Sequence, residues 1–70
     1  MAPRLVIDGR KARQLREAAN LKQATAALRL DLAQSRLRLI ENGTTSTNLE
    51  TLGKLATLYG VEPGDLLTWT

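Results

Sequence analysis

Gln34, Ser35, Arg36 and Arg38 lie close together in a stretch whose apolar members, Leu37 and Ile40, are spaced to share one face of a helix. Gln34, Ser35 and Arg38 then project from the opposite face, with Arg36 at its edge. These groups suit recognition by hydrogen bonds. A glutamine amide matches the edge of adenine, an arginine fork matches guanine, and a serine hydroxyl serves either. Arg36 and Arg38 can instead neutralise phosphates, which positions a protein on a duplex without specifying sequence. Arginines on a helix surface also serve solubility alone. The complement for catalysis is thin. The chain has no cysteine and no histidine, so it lacks thiolate chemistry, disulfides, the usual general base and the commonest metal ligand. An enzyme is disfavoured, and no metal, cofactor or small-molecule ligand is expected.

The unit that must position these side chains is residues 22–43. Ala24, Ala27 and Leu28 share a helical face, flanked by Ala26 and Leu30. Asp31 follows, a residue that tolerates a left-handed backbone. The apolar residues resume at Leu32, Leu37 and Ile40, at the spacing of a second helix. Two helices with a tight break between them form the unit whose second helix enters the major groove of DNA.

The charge is distributed to match. Residues 1–41 hold nine basic and four acidic side chains, a net +5, whereas residues 42–70 hold one basic and three acidic, a net −2. A basic front and a mildly acidic back suit a protein that meets a polyanion with one side; a solvated surface with an accidental skew gives the same count. Seventy residues make one small domain with a marginal core. No apolar run approaches the roughly 18 residues of a membrane helix, and Leu5-Val6-Ile7 is too short for a signal peptide. No membrane partner is therefore expected, and the expected location is the cytoplasm.

Along the rest of the chain, Arg4 to Ile7 is β-prone, and Asp8 can cap a first helix over 9–19. That helix presents Ala12, Leu15 and Ala19 on one face, and Ile7 can pack on Ala12. Asn20 suits a left-handed ending. Lys22, with no acceptor oxygen, is a poor cap for the second helix. Asn48 suits the cap of a fourth helix over 49–58, whose core face reads Leu49, Leu52, Leu55, Ala56 and Tyr59 before Gly60 ends it. Glu62-Pro63 opens a last short helix to Leu67, and Thr68-Trp69-Thr70 is a β-prone tail. The expected fold is all-α with five helices. Its parts are an N-terminal arm at 1–8, a domain at 9–67 with the helix-turn-helix at about 22–41, and a tail at 68–70.

Several motifs in order give this pattern a family likeness. They are Leu15-Arg16-Glu17, Leu21-Lys22-Gln23, Ala27, Leu32, Leu37, Ile40-Glu41-Asn42-Gly43, Leu49-Glu50-Thr51-Leu52, Leu55-Ala56, Tyr59-Gly60-Val61 and Leu66-Leu67. With them the chain resembles the Cro/CI-type (XRE) helix-turn-helix family, the fold of lambdoid phage repressors, without gaps from about Gly9 to Leu67. The resemblance implies base contacts from Gln34, Ser35 and Leu39, with Arg38 close by. It implies phosphate contacts from Gln23 and Asn42, with Arg36, Thr44 and Thr45 as further candidates, and a partly buried salt bridge between Arg16 and Glu41. Leu39 can meet a thymine methyl group or a protein partner, or stand exposed without a role. The chain departs from the family pattern where Asp31 replaces the turn glycine and where Lys22 and Ala33 replace capping residues. Ala26 stands at a core leucine position, and Thr44, Thr45 and Ser46 replace basic residues after Gly43.

The resemblance implies a sequence-specific DNA-binding transcriptional regulator, a repressor in the first instance, that binds double-stranded DNA as a homodimer with the helix 34–40 in the major groove. The alternative is a protein-interaction module of the same fold, such as an antitoxin or partner-binding subunit. Tyr59, Leu66, Leu67 and Trp69 are the candidates for a dimer surface, although Trp69 can equally lid the small core. Leu5-Val6-Ile7 and Leu67-Thr68-Trp69 are expected to pair as short strands, within one chain or across a dimer.

Overall fold

A computed structural model of the chain describes residues 2–43 and 48–70. The order is β1 (Leu5–Ile7), α1 (Gly9–Ala18), α2 (Gln23–Arg29), α3 (Gln34–Glu41), α4 (Leu49–Tyr59), a 3-10 turn (Pro63–Leu66) and β2 (Leu67–Trp69). Local chemistry explains where most of these elements begin and end. The Asp8 carboxylate accepts the Lys11 amide at 3.1 Å and caps α1, and the Asn48 side chain accepts the Thr51 amide at 2.8 Å and caps α4.

α1, α2 and α4 end in the same way, on a left-handed residue followed by an apolar one. The left-handed residues are Asn20 (φ 58°), Asp31 (φ 56°) and Gly60 (φ 68°). Behind them the Leu21 amide donates to Arg16 O at 3.1 Å, Leu32 to Ala27 O at 2.9 Å and Val61 to Ala56 O at 3.0 Å. These six-to-one bonds satisfy carbonyls the helices would otherwise leave open, and Leu21, Leu32 and Val61 then pack against the core.

The core is built on Leu30, Leu37, Ile40, Leu55 and Leu66, all fully buried, with Ala12, Ala26, Ala27, Leu52 and Ala56 around them. Each buried leucine or isoleucine contributes about 1.5–3 kcal/mol. Three sequence expectations need correction here. α2 buries Ala26, Ala27 and Leu30, not the face of Ala24 and Leu28; Leu28 is 81% exposed. The small side chains of Ala26 and Ala27 allow close packing, and Leu28 falls on the far side. Leu49, read as the first core residue of α4, is 84% exposed, because the first turn directs Thr51 and Leu52 inward and leaves Leu49 on the outer side. The last short helix is a 3-10 turn, so among the described residues there are four α-helices and not five. Pro63 and Gly64 in so short a segment favour the tighter turn, which is closed by a 3.1 Å bond from the Glu62 amide to Asp65.

β1 and β2 pair antiparallel within the chain, with Leu5 opposite Trp69, Val6 opposite Thr68 and Ile7 opposite Leu67. Bonds from Thr70 N to Arg4 O at 2.9 Å and from Asp8 N to Leu66 O at 2.7 Å extend the ladder. The segments read as arm and tail therefore carry the two strands. Among the described residues no helix is long and apolar enough to cross a membrane.

Candidate nucleic-acid interface

α3 carries the polar face. Its inner side, Leu37, Ile40 and Glu41, is buried, while Gln34, Ser35, Arg38 and Leu39 are exposed and Arg36 is half-buried. The left-handed step at Asp31 sets the angle between α2 and α3. Neither helix has a side-chain cap, because Lys22 and Ala33 occupy the cap positions. Asn42 closes α3 in an exposed position, and Gly43 follows with φ 71°, where a side chain would be strained. Thr44 and Thr45 lie outside the described residues.

A buried ion pair holds the far end of this face. Arg16 Nε donates to Glu41 Oε2 at 2.7 Å and Arg16 Nη2 to Glu41 Oε1 at 3.1 Å, and Arg16 Nη1 reaches Leu21 O at 2.8 Å. The pair ties α1 to the last turn of α3 and to the turn before α2. Hydrogen bonding to Glu41 raises the Arg16 pKa above its usual value, against the opposing effect of burial.

The carboxylate has a further donor. Gln23 Nε2 reaches Glu41 Oε1 at 3.1 Å, and Gln34 Nε2 reaches Gln23 Oε1 at 3.4 Å. A carboxylate can only accept, so it obliges Gln23 to turn its NH2 inward and its carbonyl oxygen toward Gln34. Gln34 then turns its own NH2 toward Gln23 and keeps a carbonyl oxygen and one amide hydrogen to offer outward. The orientation of an exposed amide is thereby dictated by a buried charge, a relationship with no local signal in the sequence.

Gly9 is a second feature sequence reasoning missed. A Cβ at Gly9 would sit 2.7 Å from Glu41 O and would also collide with Ile40 O. α1 therefore begins directly on the carbonyl end of α3, and only glycine allows the approach.

Among the dimer candidates, Leu66 needs correction. It is fully buried in the core and presents no surface, because the 3-10 turn directs it inward. Leu67 and Tyr59 are half-buried, and Trp69 is 67% exposed beside Leu5 at 50%.

Comparison with known proteins agrees with this geometry. The helix-turn-helix family model matches residues 13–66. Control protein C.BamHI of Bacillus amyloliquefaciens is 36% identical over 66 residues, covering 93% of this chain and 82% of the relative. The crystal structure of the restriction-modification controller protein C.AhdI from Aeromonas hydrophila superposes with a TM-score of 0.77 at 36% identity, covering 83% of this chain and 88% of that one. An HTH_3 family transcriptional regulator from Vibrio cholerae, with a TM-score of 0.73 at 22% identity over 83% of this chain and 33% of that one, shares the fold.

Proposed function

We infer from membership of the XRE-type helix-turn-helix family, to which the chain belongs, that this DNA-binding transcriptional regulator reads a specific site by laying α3 in the major groove. The observation that carries the reading is the two-sidedness of α3. Its inner face is locked into the core and to Arg16, while Gln34, Ser35 and Arg38 stand together on the outer face. Gln34 offers an acceptor and a donor, the pair that adenine complements, and Arg38 offers a fork for guanine or for a phosphate. Leu39, 44% exposed, borders a thymine methyl group in this arrangement. Asn42 and Arg36 hold the backbone on either side, with Thr44 and Thr45 in support; Gln23, with one amide hydrogen on Glu41, keeps only its second for a phosphate.

The chain acts as a homodimer on a two-fold-related operator, with its reading helices about 34 Å apart. Trp69 and Leu5, exposed side by side at the sheet, with half-buried Leu67 on the same strand as Trp69, support self-association. The likeness to control proteins, one of them from a restriction-modification system, supports a controller of that kind. Where its operator overlaps a promoter, the bound dimer blocks access to it and the chain acts as a repressor.

Selection of bound sites from random duplexes tests the reading. A palindromic consensus with adenine or guanine at symmetric positions is expected, with Arg38→Ala costing about 1–3 kcal/mol at its base pair. Binding without a consensus, or none at low salt, would overturn it. Exposed Leu28 and Leu49 and the uncapped helices support a second reading, a protein-interaction module. That reading gains if the chain co-purifies with a protein partner and does not bind DNA.

A further inference from the structure

Arg10, Lys11 and Arg13 take no part in the core or in the reading face of α3. Arg10 and Arg13 lie one turn apart on the exposed side of α1. They line a polar cleft whose opposite lip is Asn42 and Gly43, where α3 ends. The cleft exists because Gly9 lets α1 start against the carbonyls of Ile40 and Glu41, which brings the first turns of α1 beside the last residue of the reading helix.

The charge in this cleft is basic. Arg10 makes no ion pair among the described residues, and Arg13 has only an exposed i,i+4 contact with Glu17 at 3.6 Å, weak enough to yield to a phosphate. Two carboxylates border the cleft. Glu41 is neutralised by Arg16, whereas Asp8 accepts the Lys11 amide and keeps its charge, so two arginines face one carboxylate that is unpaired among the described residues. The cleft therefore keeps a net positive charge, next to an exposed asparagine amide.

We propose that Arg10 and Arg13 form a phosphate clamp with Asn42, gripping the DNA strand that borders the groove at the end of α3. The proposal rests on the DNA-reading assignment of α3 and extends the contact surface onto α1. A strand wall runs alongside any helix that enters the major groove, and the cleft sits where α3 leaves the groove. The clamp adds affinity and register without sequence information.

Fluorescence anisotropy with the full chain, on its selected duplex and on a scrambled duplex, across a salt series, tests this. The probes are wild type, Arg10→Gln with Arg13→Gln, Arg10→Lys with Arg13→Lys, and Lys54→Gln as a charge control on α4. Each lost phosphate contact lowers the slope of log affinity against log salt by about 0.9, so the double glutamine variant, which removes two contacts from each protomer of a dimer, is expected to lose about 3.6 from the slope on both duplexes. Its consensus and melting temperature should be unchanged, and the lysine pair and Lys54→Gln should keep the wild-type slope. An unchanged slope in the double glutamine variant, while wild type binds its site, overturns the clamp and leaves the reading of α3 intact. A slope change confined to the selected duplex, with an altered consensus, overturns it as a phosphate contact. Failure of wild type to bind either duplex removes the DNA reading itself, and the clamp with it.

Discussion

Gln23 Nε2 stands 3.1 Å from Glu41 Oε1, and the carboxylate that receives it is the one that neutralises Arg16. One buried group therefore joins the brace of the fold to the amide at the start of α2, and through it to Gln34 on the exposed face. Stability and recognition meet at Glu41, and substitutions along this chain should separate the two.

Glu41→Gln removes the counter-charge of Arg16, whose side chain is 11% exposed, and leaves it in a largely water-excluded site. The expected cost is about 3 kcal/mol or more. That is a large share of the stability of a small domain and should appear as a much lower urea midpoint at unchanged slope. Arg16→Lys keeps the charge but loses the fork and should fall between wild type and Glu41→Gln. A wild-type midpoint for Glu41→Gln would show that the pair contributes nothing.

Gln23→Ala should behave differently. Stability is expected to fall by about 1 kcal/mol, the ordinary contribution of a hydrogen bond. Discrimination at the base read by Gln34 should relax by about tenfold, because nothing then sets the orientation of its amide. Site selection with the variant reads this directly. A consensus as sharp as that of wild type would mean that Gln34 orients itself.

Two glycines should respond in opposite directions. Gly9→Ala places a methyl group against the backbone of Ile40 and Glu41, which cannot rotate away. The overpacking costs about 1–3 kcal/mol and displaces the end of α3, so DNA affinity should fall with stability. Gly53 lies inside α4 with open space where a Cβ would sit. Gly53→Ala should stabilise by about 1 kcal/mol through helix propensity. Thermal melts of the two variants, moving in opposite directions, check both.

Tyr59 has a buried hydroxyl with no hydrogen-bond partner among the described residues. Burial, assisted by the nearby charge of Glu41, pushes its pKa up to about 12 from 10.0. The folded state therefore holds the phenol proton more tightly than the unfolded chain. The resulting stability is fully present below pH 10 and is lost as the pH rises toward about 12. Since Tyr59 is the one tyrosine, its phenolate absorbance reports the shift without ambiguity. Tyr59→Phe should be neutral or stabilising near neutral pH and should lack that part of the alkaline destabilisation. A phenolate midpoint near 10 in the folded protein would refute the shift.

The amino-acid sequence alone determined the local features and the family. The left-handed endings at Asn20, Asp31 and Gly60, the caps at Asp8 and Asn48, and the alternation of Leu37 and Ile40 on α3 are decided within a turn or two of chain, where side-chain chemistry acts on the adjacent backbone. The pairing of 5–7 with 67–69 was legible in outline, because both segments are β-prone and neither is stable alone; the structure decided that they pair within one chain. What the sequence left open depends on neighbours distant along the chain. Periodicity shows that α2 has apolar faces, but only packing against α3 chose Ala26, Ala27 and Leu30 and left Leu28 in water. Only the tertiary fold put Leu49 outside the core and Leu66 inside it, and only it brought Gly9 onto the carbonyls of α3. Gln23 and Glu41, 18 residues apart, meet for the same reason: a hydrogen bond between side chains depends on where the helices carrying them are packed, and short-range periodicity does not hold that information.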